Sequence, residues 1–196
     1  MTLRVDHGVA SGTFSLDGQT FDVDNNIWVV GDDEECVVID APHSVPAILE
    51  VVAGRRVTAI VLTHAHDDHV RVAPELAEAT GAPLYLHRAE EPLWKLVHPE
   101  RPMPAPLHDN QQIGPLTVLH TPGHSPGAVC LYAPDLGCVF TGDTLFHGGP
   151  GATGRSFSDY DTIVKSIKER LFILPTATVV HTGHGNDTLI ASERLP

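Results

Sequence analysis

Cysteine is scarce in this chain. There are three in 196 residues, Cys36, Cys130 and Cys138, each inside an apolar run (ECVVID, AVCLY, GCVFT). An odd, scattered set in such surroundings predicts buried free thiols, and it excludes a disulfide framework. Basic residues are few as well, 12 Lys+Arg against 25 Asp+Glu, for a formal net charge of −13. That balance is wrong for gripping phosphates, so no nucleic-acid partner is expected. No apolar run reaches the roughly 18 residues of a membrane span. The opening MTLRVDHGVASG lacks the basic start and apolar stretch of a secretory signal. These absences predict a cytoplasmic chain without a membrane partner. The length fits one domain over residues 1–196. The 17 Gly and 16 Pro imply many shaped loops.

One residue type is in excess. Thirteen histidines outnumber all Lys and Arg together, and their placement is patterned. Four apolar runs end in threonine and are followed within three residues by His or Asp: AIVLT before His64, TVLHT-PG before His124, CVFT-G before Asp143 and TVVHT-G before His184. Groups just past strand ends would lie together on one sheet edge, where loops build sites. The first loop alone reads His64-Ala65-His66-Asp67-Asp68-His69. His64 and His66 point the same way at a strand end, and Asp68 and His69 can face a second position. Imidazoles and carboxylates at this density suit Zn, Fe or Mn better than Ca or Mg. Seven candidate ligands are too many for one tetrahedral zinc and suit two ions sharing a carboxylate. Zinc is the first expectation, with iron or manganese as alternatives.

Short apolar runs alternating with helical patterns predict an α/β layered fold. Ile27–Gly31 and Glu35–Asp40 read as a hairpin. A helix follows with Ser44 as N-cap, Pro46 in its first turn and Gly54 at its end. Val57–Thr63 and Pro83–His87 read as strands, and Pro74–Thr80 as a short helix closed by Gly81. Ser158 is expected to open the last helix with Asp161 as its capping partner, placing Ile163, Val164, Ile167 and Leu171 on one face. The Pro-rich Glu91–Pro106 segment reads as a surface excursion.

The ordered set T-H-A-H-D-D-H, T-P-G-H, G-D-T-L-F and G-H-G resembles the metallo-β-lactamase superfamily over nearly the whole chain. The resemblance implies an αβ/βα sandwich of two mixed β-sheets flanked by helices. It implies that His64, His66 and His124 hold one metal, that Asp68, His69 and His184 hold a second, and that Asp143 bridges them. Asp40 would orient the ligands from behind. GDTLF is similar to short bacterial glyoxalase II-like proteins. It implies a metallo-hydrolase that cleaves a thioester of a small-molecule thiol with a metal-bridging hydroxide, oriented by Asp68 and Asp143. A mononuclear-iron persulfide dioxygenase and a lactone hydrolase are the alternative readings, and a homodimer is left open. His147 and Arg155, in the loop after Phe146, are candidate substrate contacts. His120 and His181 read as packed histidines inside strands. His7, His43, His87, His98 and His108 read as surface residues.

Overall fold

The computed structural model describes residues 2–194. The first six strands form one sheet in chain order: β1 (Arg4–Leu16), β2 (Gln19–Gly31), β3 (Glu35–Ile39), β4 (Arg56–Val61), β5 (Leu84–His87) and β6 (Ala105–Leu107). The expected hairpin joins β2 to β3. Less visible in the sequence was the thirteen-residue ladder between β1 and β2. It closes at Asp17–Gly18, both at positive φ, a tight turn that only such residues accept readily.

A second sheet collects β7 (Gln112–Ile113), β8 (Leu116–His120), β9 (Val129–Ala133), β10 (Cys138–Gly142), β13 (Val179–Thr182) and β14 (Thr188–Leu189). Between β10 and β13 a small ribbon pairs β11 (Leu145–Phe146) with β12 (Gly149–Pro150). Strands β8 and β10 both run antiparallel to β9, and β13 is parallel to β10. The C-terminal ends of β8, β10 and β13 therefore point the same way.

Strands buried on both faces read as continuous apolar runs, and alternate residues serve different layers. In β2, Ile27 and Val29 face helices α1 (Val45–Val52), α3 (Ala73–Thr80) and α4 (Glu91–Val97), while Trp28 and Val30 face the second sheet. The inter-sheet layer is completed by Val37, Ile39, Val61, Val118, Leu131 and Phe140. Behind the second sheet, Cys130, Val139 and Val180 pack on Ile163, Ile167 and Leu171 of helix α5 (Tyr160–Ser166) and its π-helical last turn. The result is the αβ/βα sandwich, and all three cysteines are buried and free. Among the described residues no helix is long and apolar enough to cross a membrane.

Three local expectations need correction. Helix α5 is capped by Asp159, whose carboxylate accepts from Thr162 N–H at 2.7 Å, while Ser158 Oγ is spent on the preceding turn at Gly154 and Arg155. Glu91–Pro106 is no mere surface excursion, because it contains α4, whose Leu93 and Trp94 are buried in the first core, and strand β6. The four threonine-ended runs do not share one sheet: β4 belongs to the first and β8, β10 and β13 to the second. Their ends meet across the sandwich instead.

Phe140 sits 1% exposed between the sheets, against Trp28. Phe140→Ala should cost about 3–5 kcal/mol. Urea unfolding of the metal-free protein would show it as a lowered midpoint with an unchanged slope.

Candidate metal centre

The site is built at the end of the sandwich where these strand ends converge. Leu62 and Thr63 carry the chain from β4 into His64-Ala65-His66, and the one-turn helix α2 (Asp67–Val70) then places Asp68 and His69. His124, Asp143 and His184 follow β8, β10 and β13. All seven expected residues come together. His66 Nδ1 lies 3.1 Å from His64 Nε2 and 3.0 Å from His124 Nε2. Beside this trio, His184 Nε2 lies 3.2 Å from both His69 Nε2 and Asp68 Oδ2. Asp143 reaches both groups, with Oδ1 3.3 Å from His69 Nε2 and Oδ2 3.6 Å from His124 Nε2. Gly183 is required here: a Cβ on it would stand 2.3 Å from Asp143 Oδ1.

The donor atoms fit divalent ions. A tetrahedral ion with bonds of about 2.0–2.1 Å to nitrogen holds its donors about 3.3–3.4 Å apart, close to these separations. Sets of three, His64–His66–His124, His64–His69–Asp143 and Asp68–His69–His184, each bring one ligand atom per residue within 4.8 Å of the others. Asp143 Oδ1 is buried without a hydrogen bond among the described residues, as expected of an atom built for a metal.

The outer hydrogen bonds settle which ring nitrogen is free. His69 Nδ1–H donates to Asp40 Oδ2 at 2.9 Å. Asp40 also accepts from Thr63 N–H and Thr63 Oγ1–H at 2.7 and 2.8 Å, so the hydroxyl oxygen accepts from His64 Nδ1–H at 3.0 Å. His124 Nδ1–H donates to the Ala152 carbonyl and His184 Nδ1–H to the Asp24 carbonyl. Four imidazoles thus present an unprotonated Nε2 inward whenever they are neutral. Asp40 itself has a φ of 61°, a left-handed conformation in which its carboxylate spans two loops.

Charge divides the cluster in two. Burial and neighbouring imidazoles hold His64 well below its ordinary value and His66 at about 3, and burial lowers His124 despite Asp143. On the other side burial also opposes charge, yet carboxylates outweigh it. Asp68, Asp143 and Asp40 hold His69 well above its ordinary value, and Asp143 and Asp68 push His184 up to about 10. Reciprocally, and against burial, His69 and His184 help hold Asp68 at about 2 and Asp143 well below the carboxylate range.

A cavity of about 380 Å³ opens above the cluster, walled by Phe14, Phe21 and Val23 of the β1–β2 ribbon and by Arg155. The Arg155 guanidinium lies 5.3 Å from the Phe14 ring centre and 4.7 Å from that of Phe21. Its Nη1 is buried without a hydrogen bond among the described residues. His147 is elsewhere: the β11–β12 turn directs it outward, 72% exposed, 3.6 Å from Glu193, and it does not line the cavity. The expectation that it contacts substrate is withdrawn.

Sequence reasoning missed three supporting residues. Asn25, 1% exposed, donates to Asp68 Oδ2 at 3.0 Å and accepts from His43 at 2.7 Å, so half-buried His43 is not a plain surface residue. Glu90, fully buried, accepts from Ala65 N–H and Gly127 N–H. Burial pushes its carboxyl up and those bonds act against that shift. A polar pair, Asn25-Asn26, opening an otherwise apolar strand was the available signal for the first; nothing local announced Glu90. His120 and His181 are packed and bonded, to the Pro126 carbonyl and Asp187.

A profile of the metallo-beta-lactamase superfamily matches residues 20–184. The chain belongs to this superfamily. Among superfamily members it is similar to the probable metallo-hydrolase YqgX of Bacillus subtilis, 33% identical over 86% of this chain and 89% of that protein. The hydroxyacylglutathione hydrolase GloC of Haemophilus influenzae is 28% identical, over 86% of this chain and 89% of its own. The crystal structure of TTHA1623 in a di-iron-bound form superposes with a TM-score of 0.80 at 36% identity, covering 86% of this chain and 91% of that one. Metal binding and hydrolase chemistry are thus properties of the superfamily, and this member carries His/Asp groups able to hold divalent ions.

The charge division predicts a calorimetric signature. His64, His66 and His124 are all held below the ordinary imidazole value, so filling their cluster displaces few imidazole protons at pH 7. His184, pushed up to about 10, must give up its proton to bind, and His69 is raised in the same direction, so filling the Asp68–His69–His184 cluster should release more protons and tighten as pH rises toward 10. Titrations with metal in two buffers of different ionisation enthalpy would separate the events. Equal proton release from both would contradict the division.

Proposed function

We propose that this chain is a metal-dependent hydrolase cleaving the thioester of an acylated low-molecular-weight thiol. The observation that carries the reading is the seven-donor cluster beneath an aromatic-walled cavity, into which His66, Asp68, His124, Asp143 and His184 open. Ser156 and Ser158 line the cavity, but neither hydroxyl is hydrogen-bonded to a histidine that could activate it among the described residues; Ser158 Oγ is engaged by Gly154 and Arg155, and no cysteine lines the cavity. The likeness to GloC supports a thioester, and the short GDTLF loop agrees with it.

In this reading His64, His66 and His124 would hold one ion and Asp68, His69 and His184 the other, with Asp143 within reach of both groups. Zinc is the expected metal, with iron and manganese as alternatives. When bound, two such ions would supply a water deprotonated near neutral pH and an electrophile for the carbonyl oxygen. The chain supplies the rest. Asp68 and Asp143 accept hydrogen bonds from the attacking water and fix its line to the carbonyl. Asp40 and Asn25 keep His69 and Asp68 from turning away. Phe14, Phe21 and Val23 exclude bulk water from the reacting centre and cover the substrate's apolar part. Arg155, flattened between two rings with a free N–H, pairs with an anionic group on the thiol arm.

Two tests follow. Metal-replete protein should contain about two ions per chain and release free thiol from an acyl thioester without consuming oxygen. Asp143→Ala should remove at least one ion and lower kcat/KM by more than about 100-fold, since even residues behind the ligands are worth 10–100-fold. One iron per chain with oxygen uptake on a persulfide would establish the dioxygenase alternative instead.

Arg155→Ala tests recognition separately. A charge-assisted hydrogen bond contributes about 1.5–3 kcal/mol, so KM for a carboxylate-bearing thioester should rise about tenfold or more with kcat little changed. A neutral thioester should show no such change. Equal losses for both substrates would remove Arg155 from recognition.

A further inference from the structure

We infer that Glu90 is a positioning residue that sets the geometry of the His64–His66–His124 cluster by strapping its two loops together. The side chain is 0% exposed and follows β5 in a single 3-10 turn (Arg88–Glu90), immediately before α4. Its Oε2 accepts from Ala65 N–H at 2.7 Å, and Ala65 is the residue between His64 and His66. Its Oε1 accepts from Gly127 N–H at 2.6 Å, three residues beyond His124. One carboxylate thus ties the loop leaving the first sheet to the loop leaving the second, and each loop carries ligands of the same trio.

Two features separate this from routine satisfaction of buried amides. No ion pair among the described residues includes Glu90, and burying a lone carboxylate costs several kcal/mol. A fold needing only filled space there would be served as well by an apolar side chain. Close approach is also enforced from the far side: a Cβ at Gly127 would stand 2.9 Å from Glu90 Cγ and 2.8 Å from His87 Nδ1. The other cluster is held by different groups, Asp40 behind His69 and Asn25 behind Asp68. Loss of the strap should therefore disturb one cluster and spare the other.

This inference rests on the metal-binding part of the function proposed above, not on the thioester. Glu90→Gln keeps the volume but sets an NH2 group against one of the two amides, releasing one loop. Metal-free parent and variant would be titrated with Co²⁺, following visible absorption, with His66→Ala and His184→Ala proteins assigning each binding event to its cluster. The parent should bind two ions; if it does not, the metal reading fails, whatever Glu90 does. In Glu90→Gln the event abolished by His66→Ala, at the three-histidine cluster, should weaken by about 10–100-fold, with its absorption altered, while the event abolished by His184→Ala keeps its parent affinity. Glu90→Asp, which keeps both acceptor oxygens, should recover part of the loss and stands in if the Gln variant does not fold. A variant that folds and binds both ions as the parent does would overturn the proposal, even if its thermal stability falls. Equal weakening of both events would overturn it as well.

Discussion

Five imidazoles and two carboxylates stand with donor atoms 3.0–3.6 Å apart in a largely buried place. In the His64–His66–His124 trio the crowded lone pairs of neutral rings repel one another, and those rings would turn away if they could. The cluster is held in place by a shell of fixed acceptors and donors: Asp40, Thr63, the Ala152 and Asp24 carbonyls, and Asn25. That shell is drawn from both sheets and from the loops between them, so it exists only when the sandwich is assembled. The stiffness of the layers is what allows the centre to be pre-formed.

The layered core explains why the centre sits at this end of the molecule. β8, β10 and β13 deliver their C-terminal ends together, and β4 delivers its own from the facing sheet. Strands with both faces buried cannot slip by one residue without turning every side chain to the wrong layer. Register along Trp28, Ile39, Val61 and Phe140 in the inter-sheet core therefore fixes the placement of ligands at the strand ends. A cavity in that core would be felt at the centre as well as in overall stability.

How much of this was legible in the sequence follows from distance along the chain. The seven donors were readable because each lies within a few residues of an apolar run that ends in threonine. Asp40, which closes the apolar run ECVVID, was reached only through the superfamily resemblance. Asn25 and Glu90 act on residues 43 and 25–37 positions away, and no local pattern encodes such contacts. Helix α4 was hidden by the prolines around it, although Pro92 occupies a first-turn position where a missing N–H does no harm. Ser158 and Asp159 are both good helix caps. Only the backbone decides that the aspartate reaches Thr162 while the serine closes the turn before it.

The β1–β2 ribbon that walls the cavity is also fastened to its floor. Ser15 N–H donates to Asp67 Oδ1 at 3.0 Å, and Arg71 reaches the Thr13 carbonyl at 2.7 Å while pairing with Asp67. Asp67 is the residue before Asp68, and Arg71 follows the turn that carries His69. Ribbon and ligand helix are therefore bonded to each other directly. At its far end, the ribbon is hooked to the Arg155 loop by Asp17 and the Ser156 N–H. The wall of the cavity and the helix that carries two of the donors thus share their anchors, Asp67 beside Asp68 and Arg71 two residues past His69. Losing Asp67 would loosen wall and floor together.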